Sequence, residues 1–174
     1  RMGGDVFLVG VIISLFSLFQ FFFSPIIGRL SDKYGRRPLL ITTAFINALS
    51  YFLIFFFQSL PILFVARIIA GIGSANISVA QAYVADTSKS HERTKKMALI
   101  GSAFGLGFIF GPLIGGFVSE TFGPNAPFII PAILSLINTV LIYFLLPESN
   151  KVLQKHIKVE FLNWKVTREV LRPK

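Results

Sequence analysis

The sequence is short of charged residues and has no cysteine at all. Only 14% of its 174 residues are charged, with 17 Lys and Arg against 8 Asp and Glu. A soluble domain usually carries about 25% charged residues. The lack of cysteine excludes disulfides and thiolate metal sites, although it names no compartment. The chain therefore has too little polar surface to cover a water-soluble globule of its size.

Long apolar runs stand where the charges are missing. Four runs contain no Asp, Glu, Lys or Arg and a fifth contains a single Arg: residues 6–28, 38–66, 97–119, 121–147 and 60–85. Because a helix rises 1.5 Å per residue, roughly 20 apolar residues cross the hydrocarbon layer. We predict an all-α membrane protein with a transmembrane bundle over residues 1–149. Its five spans are predicted at about residues 6–28, 38–57, 61–85, 97–119 and 126–146.

The positive charges are concentrated in three segments. Four of the 17 Lys and Arg lie in residues 29–37, four in residues 89–96 and seven after residue 149, whereas residues 58–59 and 120–125 carry none. This alternation follows the positive-inside rule. It predicts an external N-terminus and a cytoplasmic C-terminal tail, in a multi-pass protein of the cell membrane, or of the inner membrane if the source is bacterial. The net charge of +9 therefore indicates membrane topology and lipid contact, and not nucleic acid as a partner.

The tail, residues 150–174, mixes basic residues with apolar residues at helical spacing. Such a segment is predicted to be a basic amphipathic linker that lies on the inner membrane surface. A solvated linker is the alternative.

The most informative motif lies between the first two spans. Its members are Gly28, Leu30, Asp32, Gly35, Arg36 and Arg37. It predicts a tight hairpin in which Gly28 permits close helix approach and Gly35 adopts a left-handed conformation. Asp32 is expected to cap a helix or to pair with Arg36 or Arg37. A basic loop that only sets topology is the alternative.

Asp86 ends the third span, where a carboxylate opposes the helix dipole and calls for a nearby cation. Arg36 and Arg37 are predicted on the same side of the membrane. The alternative is a solvated carboxylate that pairs with Lys89 or Arg93.

The motif resembles the loop signature of the major facilitator superfamily, between that family's second and third helices. The resemblance implies that the spans are family helices two to six of twelve, and that the first helix and the C-terminal half are missing partners. It also implies that the motif and Asp86 form a charge network that closes the inner side of the transporter.

Arg67 resembles the superfamily's arginine in the fourth helix. A charge inside the membrane costs at least about 2.5–3.5 kcal/mol, so it normally has a partner or a function. The resemblance implies a place near the translocation path, with an influence on a proton-binding acid elsewhere. Snorkelling to the outer surface is the alternative.

The fourth span is rich in glycine, and Pro112 is expected to kink it. Its run resembles the superfamily's antiporter motif in the fifth helix, with members Gly107, Gly111, Pro112, Gly115 and Gly116. Glycines four apart also allow helices to pack closely in lipid, so an ordinary packed helix is the alternative.

Over nearly its whole length the chain is similar to tetracycline-resistance-type drug:proton antiporters. The resemblance implies export of a small molecule in exchange for protons. One position departs from it, because Ser50 stands before Tyr51 where the tetracycline exporters carry an Asp. The alternatives are a uniporter or symporter of sugars or organic ions, and a non-transporting receptor on the same fold.

Several polar side chains inside the spans are candidates for the translocation path. Besides Arg67 they are Gln20, Asn47, Ser50, Asn76, Gln81 and Asn138. Each can instead bond a neighbouring helix. No enzymatic, cofactor or metal motif is present, and His91 and His156 are interpreted as ordinary residues of basic segments.

Overall fold

A computed structural model describes residues 6–57 and 59–150 of the chain. Of the predicted linker, residues 150–174, only Asn150 lies among the described residues. The helices are α1 (Val6–Tyr34), α2 (Arg36–Phe56), α3 (Leu60–Ser74), α4 (Asn76–Thr87), α5 (Ser90–Phe122) and α6 (Ile129–Leu145), with a short 3₁₀ turn at Ala126–Phe128 before α6.

Five helical stretches are long and apolar enough to cross a membrane, as predicted from the charge-free runs. The third of them, Leu60–Thr87, consists of α3 and α4, which meet at Ala75. The backbone N–H of Ala75 bonds to the carbonyl of Ile72, one residue closer than in an α-helix. Gly71, Gly73 and Ser74 precede this point, and glycine and serine are common where a helix bends. The break between α3 and α4 therefore falls next to residues that are common at helix bends.

The helices extend further than the apolar runs predicted. Residues 28–37 were expected as a hairpin turn, but only Gly35 lies outside the helices there. Residues 86–96 lie between two of the predicted spans, yet α5 already begins at Ser90. Charged residues are compatible with a helix. The point along the chain where charged residues stop therefore indicates where the hydrocarbon layer begins, and not where the helix begins.

Small side chains allow the helices to pack closely. α2 packs against α3 and α6, and α1 packs against α3 and α4. Ala44, Ala48, Ala66 and Ala70 are buried at these interfaces. Small residues at helix contacts are typical of proteins in lipid, because association there depends on van der Waals packing.

Two glycines of α3 mark the closest approaches of its neighbours. A Cβ atom on Gly71 would lie 2.6 Å from the backbone oxygen of Phe16 in α1. A Cβ atom on Gly73 would lie 2.6 Å from Oδ1 of Asn47 in α2. At Gly71 and Gly73, α3 therefore lies too close to α1 and α2 for a residue larger than glycine to fit without a shift.

The long helix α5 contacts α4 and the 3₁₀ turn, the elements next to its two ends. None of its residues is buried. A Cβ atom on Gly101, Gly105 or Gly111 would meet nothing within 4 Å. Its central part thus faces no other element in the described part of the chain.

Candidate functional site

The best-defined polar cluster lies where α1, α2, α4 and α6 meet at one end of the bundle. α1 ends and α2 begins on either side of Gly35, which has a φ of 106°. This φ is positive, as predicted for Gly35, and only glycine adopts such a conformation without strain. A Cβ atom here would also lie 2.5 Å from Oε2 of Glu148, so a side chain at this position would displace the Glu148 carboxylate.

Arg36 joins two carboxylates from different helices. Its Nη1 lies 2.5 Å from Oδ1 of Asp32, one turn earlier on α1, and its Nε lies 3.1 Å from Oδ2 of Asp86 near the end of α4. Nη1 also donates to Oγ of the buried Ser31 at 2.6 Å. The Arg36 side chain is only 11% exposed, whereas those of Asp32 and Asp86 are 37% and 34% exposed. We call Asp32, Arg36 and Asp86 the Arg36 network.

Arg37 stands beside this network and forms no ion pair with a described carboxylate. Its guanidinium donates to the backbone oxygen of Tyr143 at 2.5 Å and lies over the Tyr143 ring at 5.5 Å. Of the two arginines expected to pair with Asp32 or Asp86, only Arg36 does so. Arg37 instead holds the beginning of α2 against α6.

Glu148, which follows α6, belongs to this cluster although the sequence did not predict it as a member. Its Oε1 accepts the backbone N–H of Arg36 at 2.8 Å, and its Oε2 accepts that of Arg37 at 3.0 Å. The next two residues contribute as well. Nδ2 of Asn150 donates to the carbonyl of Asp32 at 2.9 Å, and Oγ of Ser149 lies 3.4 Å from Oδ2 of Asp86. The end of α6 thus contacts three other helix ends.

The other expectations for this end of the bundle had mixed outcomes. A Cβ atom on Gly28 would lie 3.8 Å from Oγ of Ser78 in α4, which is an ordinary contact, so the described part of the chain leaves room for a Cβ atom at this position. Arg93 donates to the carbonyl of Ala85 at 2.8 Å and forms no ion pair with Asp86. Asp86 is held by Arg36 instead.

Arg67 lies in α3, in the half of the molecule away from the Arg36 network. Its Cζ is 5.9 Å from the ring centroid of Phe128 in the 3₁₀ turn. Its Nε is buried and has no hydrogen-bond partner among the described residues. Asp86 is not the partner of Arg67, since the Arg36 guanidinium holds it at the other end of the same span.

Gln20 and Asn47, two of the polar residues proposed for the path, form contacts between helices. Nε2 of Gln20 donates to the carbonyl of Ser74 at 3.3 Å, and Oδ1 of Asn47 accepts the hydroxyl of Ser74 at 3.4 Å. These bonds join α1 and α2 to the end of α3. Both side chains therefore act in helix packing within the described chain.

Ser50 is fully buried and bonds within its own helix. Its hydroxyl donates to the carbonyl of Asn47 at 2.7 Å, and none of its surface is exposed. Ser50 thus faces no opening of the described bundle. Asn76 is half-buried at the beginning of α4, whereas Gln81 and Asn138 are exposed.

The glycine-rich motif lies along α5, which continues through Pro112 as one helix. Cβ atoms on Gly107, Gly111, Gly115 and Gly116 would meet nothing within 4 Å. The expected close packing at these glycines is therefore not formed within residues 6–57 and 59–150. The physical reason is that α5 contacts its neighbours only near its ends.

Comparison with known proteins places these features in a family. The chain is 38% identical over 140 residues to the tetracycline resistance protein, class B, of Escherichia coli, a match that covers 80% of this chain and 35% of that protein. It is 34% identical over 149 residues to multidrug resistance protein 2 of Bacillus subtilis, covering 85% and 37%. The crystal structure of the human organic anion transporter MFSD10 is similar with a TM-score of 0.74 at 34% identity, covering 84% of this chain and 33% of that one.

The chain spans about a third of the length of these relatives. The family model of the Major Facilitator Superfamily matches residues 2–174. With five membrane-spanning helical stretches and no strand among the described residues, the fold agrees with that match. The chain belongs to the Major Facilitator Superfamily.

Proposed function

We propose that the chain is part of a secondary transporter that exports small molecules in exchange for protons by alternating access. The observation that carries this proposal is the Arg36 network, in which one guanidinium joins carboxylates of α1 and α4. Alternating access requires helices that can separate at one end of the bundle and then close again. The carboxylates of Asp32 and Asp86 are 37% and 34% exposed, so water can replace the nearly buried Arg36 guanidinium as their partner when the ion pairs break.

The membrane side of the network follows from the charges around it. The basic residues of segments 29–37 and 89–96 lie at the ends of α1 and α4 and the beginnings of α2 and α5, and the positive-inside rule assigns them to the cytoplasm. The network then closes the cytoplasmic side, and the tail after residue 149 begins on the same side. The widely exposed apolar side chains of the bundle can contact lipid and the missing helices of the same transporter.

The substrate is proposed to be a small organic molecule other than tetracycline. The relatives include proteins named for tetracycline resistance, multidrug resistance and organic anion transport. Ser50, however, stands where the tetracycline exporters carry an Asp, and its hydroxyl is occupied by the carbonyl of Asn47. No described carboxylate takes its place in the middle of α2.

Energised inside-out vesicles that contain the full-length transporter test the proposal. Candidate drugs and organic anions are offered outside, and their uptake is measured with and without a protonophore. Accumulation that collapses with the protonophore supports the antiporter. Equilibration that ignores the proton gradient indicates a uniporter, accumulation driven by the opposite gradient indicates a symporter, and binding without flux indicates a receptor.

A further inference from the structure

We propose that Glu148 is a positioning residue of the Arg36 network. This inference rests on the proposed function, in which the network opens and closes during transport. Glu148 comes from the segment after α6, and its carboxylate holds the first turn of α2, the turn that carries Arg36. Because Glu148 holds the backbone of Arg36 in place, it determines which carboxylates the Arg36 guanidinium can contact.

The beginning of α2 has a complete set of hydrogen bonds only because of Glu148. The first four N–H groups of a helix have no partner within that helix. At α2 they belong to Gly35, Arg36, Arg37 and Pro38. The N–H of Gly35 bonds to the carbonyl of Ser31 at 3.0 Å, and Pro38 has no N–H. The two that remain are those of Arg36 and Arg37, and both bond to Glu148.

The charge of Glu148 also suits this place. A helix N-terminus carries partial positive charge, so a carboxylate there is stabilising. Gly35, the N-cap residue of α2, has no side chain that could cap the helix itself. A Cβ atom at that position would instead collide with Oε2 of Glu148. The cap of α2 is therefore supplied by the segment after α6, more than a hundred residues away in sequence.

The position of Arg36 links this cap to the network. Its backbone N–H is held by Glu148, while its Nε and Nη1 reach Asp86 and Asp32. Arg36 is thus fixed at both ends. The same segment bonds to the carbonyl of Asp32 through Asn150, so α6 orients the arginine and the end of α1 together. A displacement of the end of α6 would move Arg36 relative to both carboxylates.

The first test compares Glu148→Gln with Glu92→Gln in the full-length transporter. The amide keeps the size of the side chain but loses the charge and one acceptor oxygen. Glu92 is a matched control, because it is a carboxylate in the first turn of a helix that pairs with the exposed Lys96 on its own helix at 3.3 Å. Hydrogen–deuterium exchange is followed in peptides that cover residues 35–40.

In the Glu148→Gln protein we expect the amides of Arg36 and Arg37 to exchange at least about fivefold faster, the scale of a lost helix cap. The Glu92→Gln protein is expected to keep the wild-type exchange rate there. Turnover should fall in Glu148→Gln with apparent substrate affinity retained, and Glu148→Asp, which keeps the charge, should recover part of it. Unchanged exchange, or faster exchange with normal turnover, would overturn the proposal.

A second measurement does not depend on flux. The unfolding midpoints of Glu148→Gln, Asp86→Asn and the double variant form a thermodynamic cycle. If Glu148 positions Arg36 for Asp86, Glu148→Gln lowers the midpoint less when Asp86 has already been replaced. Equal effects in both backgrounds would show a cap independent of the network and would refute the inference. If the wild-type protein shows no proton-driven flux, the proposed function fails, while this cycle still decides the role of Glu148.

Discussion

Replacing Gly71 by Ala should destabilise the bundle, because α1 crosses α3 at this residue. The added Cβ would lie 2.6 Å from the backbone oxygen of Phe16 and 2.9 Å from Cβ of Phe19. Neither atom belongs to the flexible end of a side chain, so the two helices must move apart. Overpacking of this kind typically costs about 1–3 kcal/mol.

Gly28→Ala is the matched control, because it makes the same change in α1 next to Ser78. The Cβ would meet Oγ of Ser78 at 3.8 Å, which is an ordinary contact. Both variants gain the same helix preference of alanine over glycine, about 0.8–1.0 kcal/mol in soluble helices. This gain cancels when the two variants are compared.

The free energy of unfolding of Gly71→Ala is therefore expected to be about 1–3 kcal/mol below that of Gly28→Ala, or about 5- to 150-fold in the folding equilibrium. Reversible unfolding of the full-length transporter in detergent measures the difference. Equal stability of the two variants would refute the close approach of α1 and α3. If Gly28→Ala were instead less stable than Gly71→Ala, Gly28 would be the more important glycine for helix packing, contrary to its ordinary contact with Ser78.

Two further predictions concern the path and the network. Asp86→Asn should slow turnover far more than it lowers the amount of protein inserted in the membrane. The reason is that the change removes one of the two carboxylates that pair with Arg36. Equal losses of turnover and of inserted protein would mean that the charge of Asp86 is merely structural. Ser50→Ala should leave flux and apparent affinity within about twofold of wild type, because the Ser50 hydroxyl is buried and bonded to its own helix. A large change of apparent affinity in transport assays would place Ser50 in the path instead.

The spans and part of the inner cluster were predictable from sequence because their signals are local. Apolar runs with at most one charged residue predicted five spans, and the structure confirms five helical stretches that are long and apolar enough to cross a bilayer. Asp32 and Arg36 are four residues apart on either side of Gly35, so a tight turn at Gly35 was enough to bring them together. The positive φ of Gly35 followed from the same short motif.

The remaining features depend on contacts that no local pattern encodes. Glu148 follows an apolar run and precedes a basic tail, so the sequence showed it only as the end of a span. Its partners are 111 and 112 residues away. A signal did exist, since the N-cap of α2 is a glycine and two N–H groups of its first turn needed an acceptor. The unpaired N–H groups indicate that an acceptor is needed but not which residue supplies it.

Glycines were equally ambiguous in the sequence. The regular spacing in α5 suggested close packing, yet among the glycines within the described helices the tightly packed ones are Gly71 and Gly73 of α3. Spacing shows which residues share a helix face. It does not show whether another helix lies against that face.

The proposed cytoplasmic position of the Arg36 network depends on the two ends of α5 lying on opposite sides of the membrane. α5 has 33 residues, about 50 Å of helix, which exceeds the roughly 30 Å of the hydrocarbon layer. Single cysteines introduced as Lys89→Cys and Glu120→Cys in the full-length transporter, in a background free of other reactive thiols, can be labelled in intact cells with a membrane-impermeant thiol reagent. We predict that Glu120→Cys is labelled and that Lys89→Cys is labelled only in inside-out vesicles. Labelling of both from the same side would contradict the topology, and with it the assignment of the Arg36 network to the cytoplasmic side.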